Sequence, residues 1–168
     1  LRQVRGAGVL FCQYAPPWRF LLMRHPRRYD IPKGHQQRGE SDLDTAVREL
    51  WEETGIPPHE IELDEDFRFE LRYRTRYRRH GGELVDKTVV VYLGRLLTNR
   101  EVVPTEHRGY EWFDWEPPHQ IQPTMVDPLL AAVTEHLAPW SVDTRRLDAN
   151  LLEAGSDADE MTDRKSTR

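Results

Sequence analysis

The sequence contains one cysteine, no long apolar segment and no internal repeat, and each of these absences excludes a class of protein. A single thiol, Cys12, excludes an internal disulfide and a cysteine-rich zinc site. Cys12 lies in an apolar segment, so we interpret it as a buried core thiol and not as a nucleophile. No segment is apolar over the length of a membrane span, and no secretory signal is visible, so we expect a cytoplasmic protein without a membrane partner.

The composition is acidic and polar, but it includes enough aromatic residues for a folded core. The 168 residues carry a formal net charge of -5, which argues against a general nucleic-acid-binding protein. Five tryptophans, six tyrosines and five phenylalanines argue against a disordered chain. The length predicts one domain, which we expect over residues 1–140, followed by a polar and partly disordered tail over residues 141–168.

Residues 34–56 contain a predicted helix that carries three glutamates, Glu49, Glu52 and Glu53. At roughly 100° per residue, Glu49 and Glu53 lie one turn apart on the same face, and Glu52 lies about 60° to one side. The apolar residues of this segment recur at helical spacing and predict a buried stripe on another face. They are Leu43, Ala46, Val47 and Leu50.

Carboxylates this close raise one another's pKa unless a cation neutralises them. Hard oxygen ligands of this kind suit Mg²⁺ or Mn²⁺. The backbone carbonyl of Gly34, in the loop before the helix, is a candidate further ligand. The same spacing is typical of a solvated acidic helix face, and the residues alone leave both interpretations open.

Both ends of this helix are marked in the sequence. Ser41 and Asp44 predict an N-terminal capping box, and Gly55 followed by two prolines predicts the C-terminal end. Glu40 and Arg48 are spaced to pair across the junction of loop and helix, which would hold the loop against the helix.

Four segments have the pattern of β-strands: residues 4–12, 19–25, 67–77 and 84–97. We expect the first two to form one antiparallel hairpin and the last two a longer one. The segment between the two hairpins includes an acidic stretch, residues 60–66, which we predict to be a connector. Residues 128–137 are predicted to form a short amphipathic helix that packs on the sheet.

Period-two alternation in residues 67–77 puts aromatic and arginine side chains on opposite faces of the strand. Tyr73 lies on the aromatic face and is a candidate for stacking on a nucleobase. The other face carries a row of arginines that is either an electrostatic guide for a polyanion or a solvated sheet face. The row comprises Arg68, Arg72, Arg74, Arg76 and Arg78.

The residues around the three glutamates resemble the Nudix box, a pattern of nine fixed positions in a 23-residue window. Every position is present: Gly34, Glu40, Arg48, Glu49, Leu50, Glu52, Glu53, Gly55 and Ile56. The resemblance implies a hydrolase of nucleoside diphosphates linked to another moiety, which uses divalent metal ions. By this resemblance Glu49 and Glu53 are metal ligands and Glu52 is a further ligand or a base. Gly34, Gly55 and the pair Glu40–Arg48 would then have structural roles.

Two further segments resemble the asymmetric diadenosine tetraphosphate hydrolases of the same superfamily. Asp-Ile-Pro-Lys-Gly-His at residues 30–35 is similar to their Trp-x-x-Pro-Lys-Gly-His, which implies that Lys33 and His35 bind the polyphosphate. From the residues alone, Lys33 and His35 are equally well loop residues that pair with the acids. Lys-Thr-Val at residues 87–89, followed by Tyr92, resembles a segment whose lysine approaches the phosphate chain, which implies this role for Lys87.

A later cluster also resembles this subgroup, in its Glu-His and Tyr-x-Trp elements. The resemblance implies that Glu106 is a fourth carboxylate, which helps to bind metal or activates water, and that Tyr110 stacks on adenine. His107 is either a proton donor or a polar loop residue. The chain departs from the subgroup near Tyr29, where Trp or Phe is usual, and in its longer hairpin tip.

The resemblance covers about residues 4–138 and implies an α/β fold, an α/β/α sandwich with a mixed sheet between helices. It implies a catalytic set of Glu49, Glu52, Glu53 and Glu106, with Mg²⁺ or Mn²⁺ as cofactor. The expected reaction is hydrolysis of diadenosine tetraphosphate to ATP and AMP by attack of water on phosphorus.

Two other functions remain open. One is a pyrophosphohydrolase acting on an RNA 5′ end or another nucleotide conjugate, which the arginine row favours. The other is a non-catalytic nucleotide sensor, against which the intact glutamates argue. The sequence predicts no oligomeric state.

Overall fold

A computed structural model of the chain describes residues 1–13, 18–78, 81–98, 102 and 109–138. The tail predicted over residues 141–168 lies outside these ranges. The described part contains one short 3-10 helix, Pro58–Glu60, besides eight strands and two α-helices. They are β1 Arg2–Gln13, β2 Arg19–Arg24, β3 Tyr29–Asp30, β4 Lys33–His35, α1 Asp42–Thr54, β5 Ile61–Leu63, β6 Phe69–Tyr77, β7 Glu83–Leu96, β8 Gly109–Asp114 and α2 Val126–Leu137.

The strands form one mixed sheet with the order β3-β2-β1-β7-β5, in which β4 also pairs with β1, β6 with β7 and β8 with β2. The two longest strands, β1 and β7, run parallel from the pair Arg2 and Val85 to the pair Cys12 and Arg95. Every other pairing in the described part of the sheet is antiparallel. The mixed sheet predicted from the resemblance is therefore confirmed.

Alternate residues of the central strands pack into two separate cores, one on each side of the sheet. Leu10 of β1 packs in the core that contains Leu129 of α2. Val9 packs in the opposite core, which contains Leu50 of α1. The α/β/α arrangement is confirmed. Cys12 is buried in the α2 core, and burial raises its pKa to about 12, as expected for a structural thiol.

The predicted ends of α1 are confirmed. The Ser41 hydroxyl accepts the Asp44 backbone N–H, and the Asp44 carboxylate accepts the Ser41 N–H. Gly55 closes the helix with φ of 75°, a backbone conformation that favours glycine, and donates its N–H to the Trp51 carbonyl.

The predicted buried stripe of α1 is partly wrong. Leu43 is exposed, whereas Thr45 and Thr54 are buried beside Ala46 and Leu50. The buried face is thus turned roughly 30° from the apolar stripe, at 100° per residue, towards the glutamates. Burial of the two threonines is possible because each hydroxyl donates to the carbonyl four residues earlier.

The long hairpin is confirmed, but shorter strands were missed. β6 and β7 pair from Phe69 to Tyr77, and Gly81 and Gly82 take positive φ in the turn. The predicted connector at residues 60–66 is wrong over part of its length, because Ile61–Leu63 is a strand on the edge of β7. β8 was not predicted as a strand either, although its aromatic side chains divide between the two sides of the sheet, with Tyr110 and Trp112 against the α1 core and Phe113 against the α2 core.

The described helices are all too short or too polar to cross a lipid bilayer.

Candidate active site

The loop strand β4 lies directly against the carboxylates of α1. A side chain at Gly34 would force Glu49 to move, because the Glu49 carboxylate occupies the position where a Cβ would lie. One residue earlier, the backbone N–H of Lys33 donates to Glu53 Oε2 at 3.3 Å. A larger residue at position 34 would displace Glu49, so the glycine sets the approach of loop and helix.

Arg48 holds the loop and the carboxylates together. Its Nε and Nη2 donate to both oxygens of Glu40, at 2.7 and 2.9 Å, and the predicted pair is confirmed. Nη1 donates to Glu49 at 2.9 Å and to Glu52 at 3.1 Å, and Nη2 also donates to the His35 carbonyl at 2.9 Å. The guanidinium lowers the pKa of Glu40 to about 2, so this carboxylate stays charged.

Glu49 is a carboxylate with unfavourable surroundings for its charge. Burial raises its pKa, and the nearby carboxylates Glu52 and Glu40 act in the same direction, while Arg48 opposes them. A cation beside Glu49 would relieve this cost.

The chemistry of the donor atoms fits a divalent metal ion, although the candidate ligands are not arranged around one point. Carboxylate and carbonyl oxygens at Glu49, Glu53 and Gly34 are the ligand types that Mg²⁺ and Mn²⁺ prefer. The Glu49 carboxylate lies directly against Gly34, so its oxygens adjoin the backbone of the loop strand. Within the ranges described, no group of three acidic, histidine or cysteine side chains is arranged as a metal cluster, since Arg48 draws Glu49 and Glu52 to itself.

A second cluster contains the two predicted phosphate-binding lysines. Lys33 Nζ lies 3.1 Å from Asp30 Oδ2, and the exposed fractions of these side chains are only 13% and 9%. Lys87 is half-buried near them, and this partial burial lowers its pKa to about 8, with the charge of Lys33 acting in the same direction and Asp30 opposing it. Tyr73 is the cross-strand partner of Lys87, and burial raises its pKa. Lys33, Lys87 and Tyr73 thus lie near one another.

Lys33 by itself connects the helix carboxylates with the lysine cluster, because its backbone and its side chain contact different groups. Its backbone faces Glu53, while its ammonium lies on Asp30 close to Lys87. Asp30 was missed by sequence reasoning. Its spacing of three residues from Lys33 was visible, but the burial that makes the ion pair strong depends on tertiary packing.

Two cavities adjoin the sheet, and their walls differ in charge. A cavity of about 280 Å³ is lined by Arg72, Tyr73, Arg74, Asp86 and Lys87. A larger one, of about 520 Å³, lies beside β5 and contains none of the predicted site residues. Its wall carries Glu62, Asp64, Glu65 and Asp66, which repel a polyphosphate. We therefore regard the smaller, basic cavity as part of the candidate site.

The remaining predicted residues lie in different places. Tyr110, on β8, packs against the α1 core, whereas Tyr73 packs against the α2 core, so the two rings do not form one platform. The His35 ring contacts Tyr77 of the long hairpin, with ring centroids 5.3 Å apart and nearly perpendicular planes. Glu106 and His107 lie outside the described residues.

The chain is similar to known proteins over most of its length. The family model described as the NUDIX domain matches residues 3–137. In a structure of an Ap4A hydrolase binary complex from C. elegans, 27% of aligned residues are identical, with a TM-score of 0.69. That alignment covers 81% of this chain and 98% of the other.

Two curated proteins are also similar over part of their length. The asymmetrical bis(5′-nucleosyl)-tetraphosphatase of Mus musculus is 40% identical over 87 residues, which cover 51% of this chain and 54% of that protein. An RNA pyrophosphohydrolase of Thioalkalivibrio sulfidiphilus is 32% identical over 104 residues, 55% of this chain and 60% of that protein. The chain spans about half the length of the first of these relatives.

Proposed function

This chain belongs to the NUDIX hydrolase family, and on that basis we propose that it hydrolyses dinucleoside polyphosphates, with diadenosine tetraphosphate and water giving ATP and AMP. The observation that carries the proposal is the double contact of Lys33, whose backbone meets a helix carboxylate and whose ammonium joins a buried lysine cluster. A polyphosphate needs both parts, since its charge must be neutralised before water can attack phosphorus.

Glu49, Glu52 and Glu53, with the Gly34 carbonyl, would hold Mg²⁺ or Mn²⁺, which would supply a water of lowered pKa. Lys33 and Lys87 place positive charge where phosphate oxygens and the leaving group carry negative charge. A glutamate of the set accepts the proton of the attacking water, and Glu106 is the proposed additional member. Tyr73 offers an aromatic face beside Lys87 for a nucleobase, and Tyr110 and His35 are the other proposed substrate contacts.

The named relatives support the substrate class. The mouse protein and the C. elegans protein are both named as hydrolases of this dinucleotide type. Because the chain spans only about half of the mouse protein, the substrate is our proposal and not a property transferred from these relatives.

Product analysis tests the proposal. Purified protein is incubated with diadenosine tetraphosphate and Mg²⁺ in ¹⁸O-labelled water. The nucleotide products are then separated, and their masses are measured by mass spectrometry. We expect ATP and AMP, with the label on the product whose phosphorus is attacked. Two molecules of ADP would contradict the asymmetric cut, and absence of turnover would contradict the proposed substrate.

A second candidate substrate is a triphosphorylated RNA 5′ end. The exposed arginines of β6 favour it, and so does the similarity to a protein named RNA pyrophosphohydrolase. Competition between such an RNA and the dinucleotide, both at known concentration, separates the two candidates. The substrate with the higher kcat/KM is the one consumed first.

The buried lysine predicts a pH dependence of substrate capture. Because the pKa of Lys87 is about 8, against 10.5 for an ordinary lysine, its charge is lost as pH rises through 8. We expect kcat/KM to fall above about pH 8, since this ratio reports the ionisation of the free enzyme. Lys87→Arg should move the fall to higher pH, because a guanidinium stays protonated. If kcat/KM of the wild type and of Lys87→Arg fell over the same alkaline pH range, the role of Lys87 would be contradicted.

The lowered pKa of Lys87 also makes the free energy of unfolding depend on pH. The folded state binds fewer protons than the unfolded state between about pH 8 and 10.5, so the contribution of Lys87 to the free energy of unfolding rises with pH across that interval. Urea titrations of wild type and Lys87→Arg at several pH values measure this difference.

A further inference from the structure

Lysine is rare in this chain, and two of its lysines lie near one carboxylate. Of the 24 lysines and arginines, three are lysines: Lys33, Lys87 and Lys165. An arginine stays charged in almost any surroundings, whereas a lysine is a compact ammonium whose pKa responds to its neighbours. The chain thus places two of its three lysines at the site proposed for a polyphosphate, where the charge of Asp30 acts on both.

The carboxylate of Asp30 has a fixed position beside Lys33. Its Oδ1 accepts the backbone N–H of Ile31 at 2.9 Å, and its Oδ2 lies 3.1 Å from Lys33 Nζ. Arg28 Nη2 approaches the same oxygen at 4.0 Å, but the Arg28 side chain is 62% exposed, so water screens its charge. Because only 9% of the Asp30 side chain is exposed, its charge acts mainly on neighbouring groups of the protein.

A carboxylate at this position opposes the binding of a polyphosphate. Like charges repel, and Asp30 is paired with the same ammonium that we propose for phosphate oxygens. Stability alone does not account for this ion pair, because the cost of removing two charges from water often equals or exceeds the attraction between them. Asp30 therefore needs a role in the site that outweighs its repulsion of the substrate.

The two lysines repel one another, and Asp30 counters this repulsion. Burial lowers the pKa of Lys87, and the charges of Lys33 and Arg28 act in the same direction, whereas the charge of Asp30 raises it. Within the described ranges, Lys87 has no ion-pair partner of its own. Its partners on the adjoining strands carry no charge at neutral pH, since one is apolar and burial raises the pKa of the other. They are Val4 on β1 and Tyr73 on β6.

Asp30 also fixes the direction in which Lys33 presents its ammonium. An ammonium has three N–H donors, so the contact with Asp30 leaves two for phosphate oxygens. The stem of a lysine is flexible, and an ion pair that holds it in place before the substrate arrives reduces the entropy lost on binding. The carboxylate can thus remain in contact with Lys33 while the substrate is bound.

We propose that Asp30 is a positioning residue of the phosphate site, which holds the Lys33 ammonium in place and shares its negative charge between Lys33 and Lys87. Two ammonium groups and one carboxylate keep a net positive charge, so the cluster still attracts a polyphosphate. This role rests on the proposed function for the identity of the anion, but the coupling of the three side chains can be measured without any substrate.

The protonation of Lys87 is the direct readout. In the full chain labelled with ¹³C-lysine, only three residues give ε-methylene NMR signals, and single Lys→Arg variants assign them. The midpoint of the Lys87 titration is expected near pH 8 in the wild type. Asp30→Asn should lower it by at least about half a pH unit, because the attraction is removed and the repulsion by Lys33 remains. The asparagine oxygen can still accept the Ile31 N–H.

Lys33→Met should shift the Lys87 midpoint in the opposite direction. It removes the repulsion and leaves the Asp30 carboxylate without its ammonium, so the midpoint should rise by at least about half a pH unit. Thermal unfolding of both variants establishes that they are folded. Opposite shifts in two folded proteins cannot come from a general loss of stability, which makes this pair of variants specific for the coupling.

Asp86→Asn is the matched control. Asp86 precedes Lys87 in β7, so its side chain lies on the opposite face of the sheet, where it pairs with Arg74 at 3.1 Å. The substitution removes the same charge close to Lys87 in the chain, but from the other side of the sheet. It should move the Lys87 midpoint by less than about 0.2 pH units.

The alkaline fall of kcat/KM should follow the NMR midpoint. In Asp30→Asn the fall should move to lower pH by the same amount, because this ratio reports the ionisation of the free enzyme. If diadenosine tetraphosphate is not cleaved, the proposed function is wrong, but the NMR midpoints still decide whether Asp30 acts on Lys87.

Three results would overturn the inference. The first is a Lys87 midpoint in Asp30→Asn that is unchanged or raised. The second is a lowered midpoint in folded Lys33→Met protein. The third is a shift in Asp86→Asn as large as that in Asp30→Asn, which would show that Lys87 responds to any nearby charge and not to Asp30 in particular.

Discussion

Glu53→Gln should lower kcat for diadenosine tetraphosphate by at least about 100-fold while the fold is kept. Glutamine has the shape of glutamate, and its carbonyl oxygen can still accept the Lys33 N–H, so the contact between α1 and β4 survives. What is lost is the negative charge that a divalent cation requires of its ligand. Steady-state kinetics and thermal unfolding measure the two effects separately.

Glu65→Gln is the control for this change. Glu65 is exposed and lies in the wall of the acidic cavity, outside the proposed site, so the same chemical substitution should leave kcat unaltered. Mn²⁺ affinity by isothermal titration gives a readout besides activity, and Glu53→Gln should weaken it. Turnover close to wild type in Glu53→Gln would remove Glu53 from the catalytic set.

Gly34→Ala should both destabilise the protein and abolish most of its activity. The new methyl group would take the position of the Glu49 carboxylate. Glu49 can move aside only by giving up its ion pair with Arg48, which measures 2.9 Å. β4 cannot retreat freely either, because the Gly34 carbonyl already lies against Gly6. Overpacking of this kind costs about 1–3 kcal/mol, and displacement of the proposed ligand should reduce kcat about 100-fold.

A double-mutant cycle identifies the cause of the Gly34→Ala effect. In a Glu49→Ala background the clash is absent, so Gly34→Ala should cost much less stability there than in the wild type, with a coupling of about 1 kcal/mol or more. Urea unfolding of the four proteins measures the coupling. Additive losses would show that the methyl group acts elsewhere, and the contact of Gly34 with Glu49 would lose its proposed importance.

The parts of the site that sequence reasoning predicted are those that depend on neighbours in the chain. The capping box of Ser41 and Asp44, the helix end at Gly55 and the pair of Glu40 with Arg48 all form within a few turns of one helix, where spacing determines contact. The position of the buried face did not follow from apolarity, because Thr45 and Thr54 satisfy their hydroxyls on the backbone and pack inwards. Tertiary packing therefore determines which face of α1 is turned towards the core.

Contacts between distant segments could be predicted only by resemblance. Nothing in the spacing of Lys33 and Lys87 indicates that they meet, and the ion pair of Lys33 with Asp30 becomes important only because both side chains are buried. Tyr110 is a similar case. The two-residue period of a strand puts its ring on the side of the sheet opposite Glu111. The separation of Tyr110 from Tyr73, however, depends on how β8 and β6 pair within the sheet.

The parallel pairing of β1 with β7 also governs how the molecule assembles. Residue 2 pairs with residue 85 and residue 12 with residue 95, so the centre of the sheet joins the two ends of a long intervening chain. Such distant contacts slow folding, because the entropy of closing the loop is lost before the contacts form. Lys87 lies in β7 and reaches Lys33 only after this closure. On the ribosome, a nascent chain that ends before β7 carries the glutamates and the first lysine but cannot yet assemble the site that we propose for a polyphosphate.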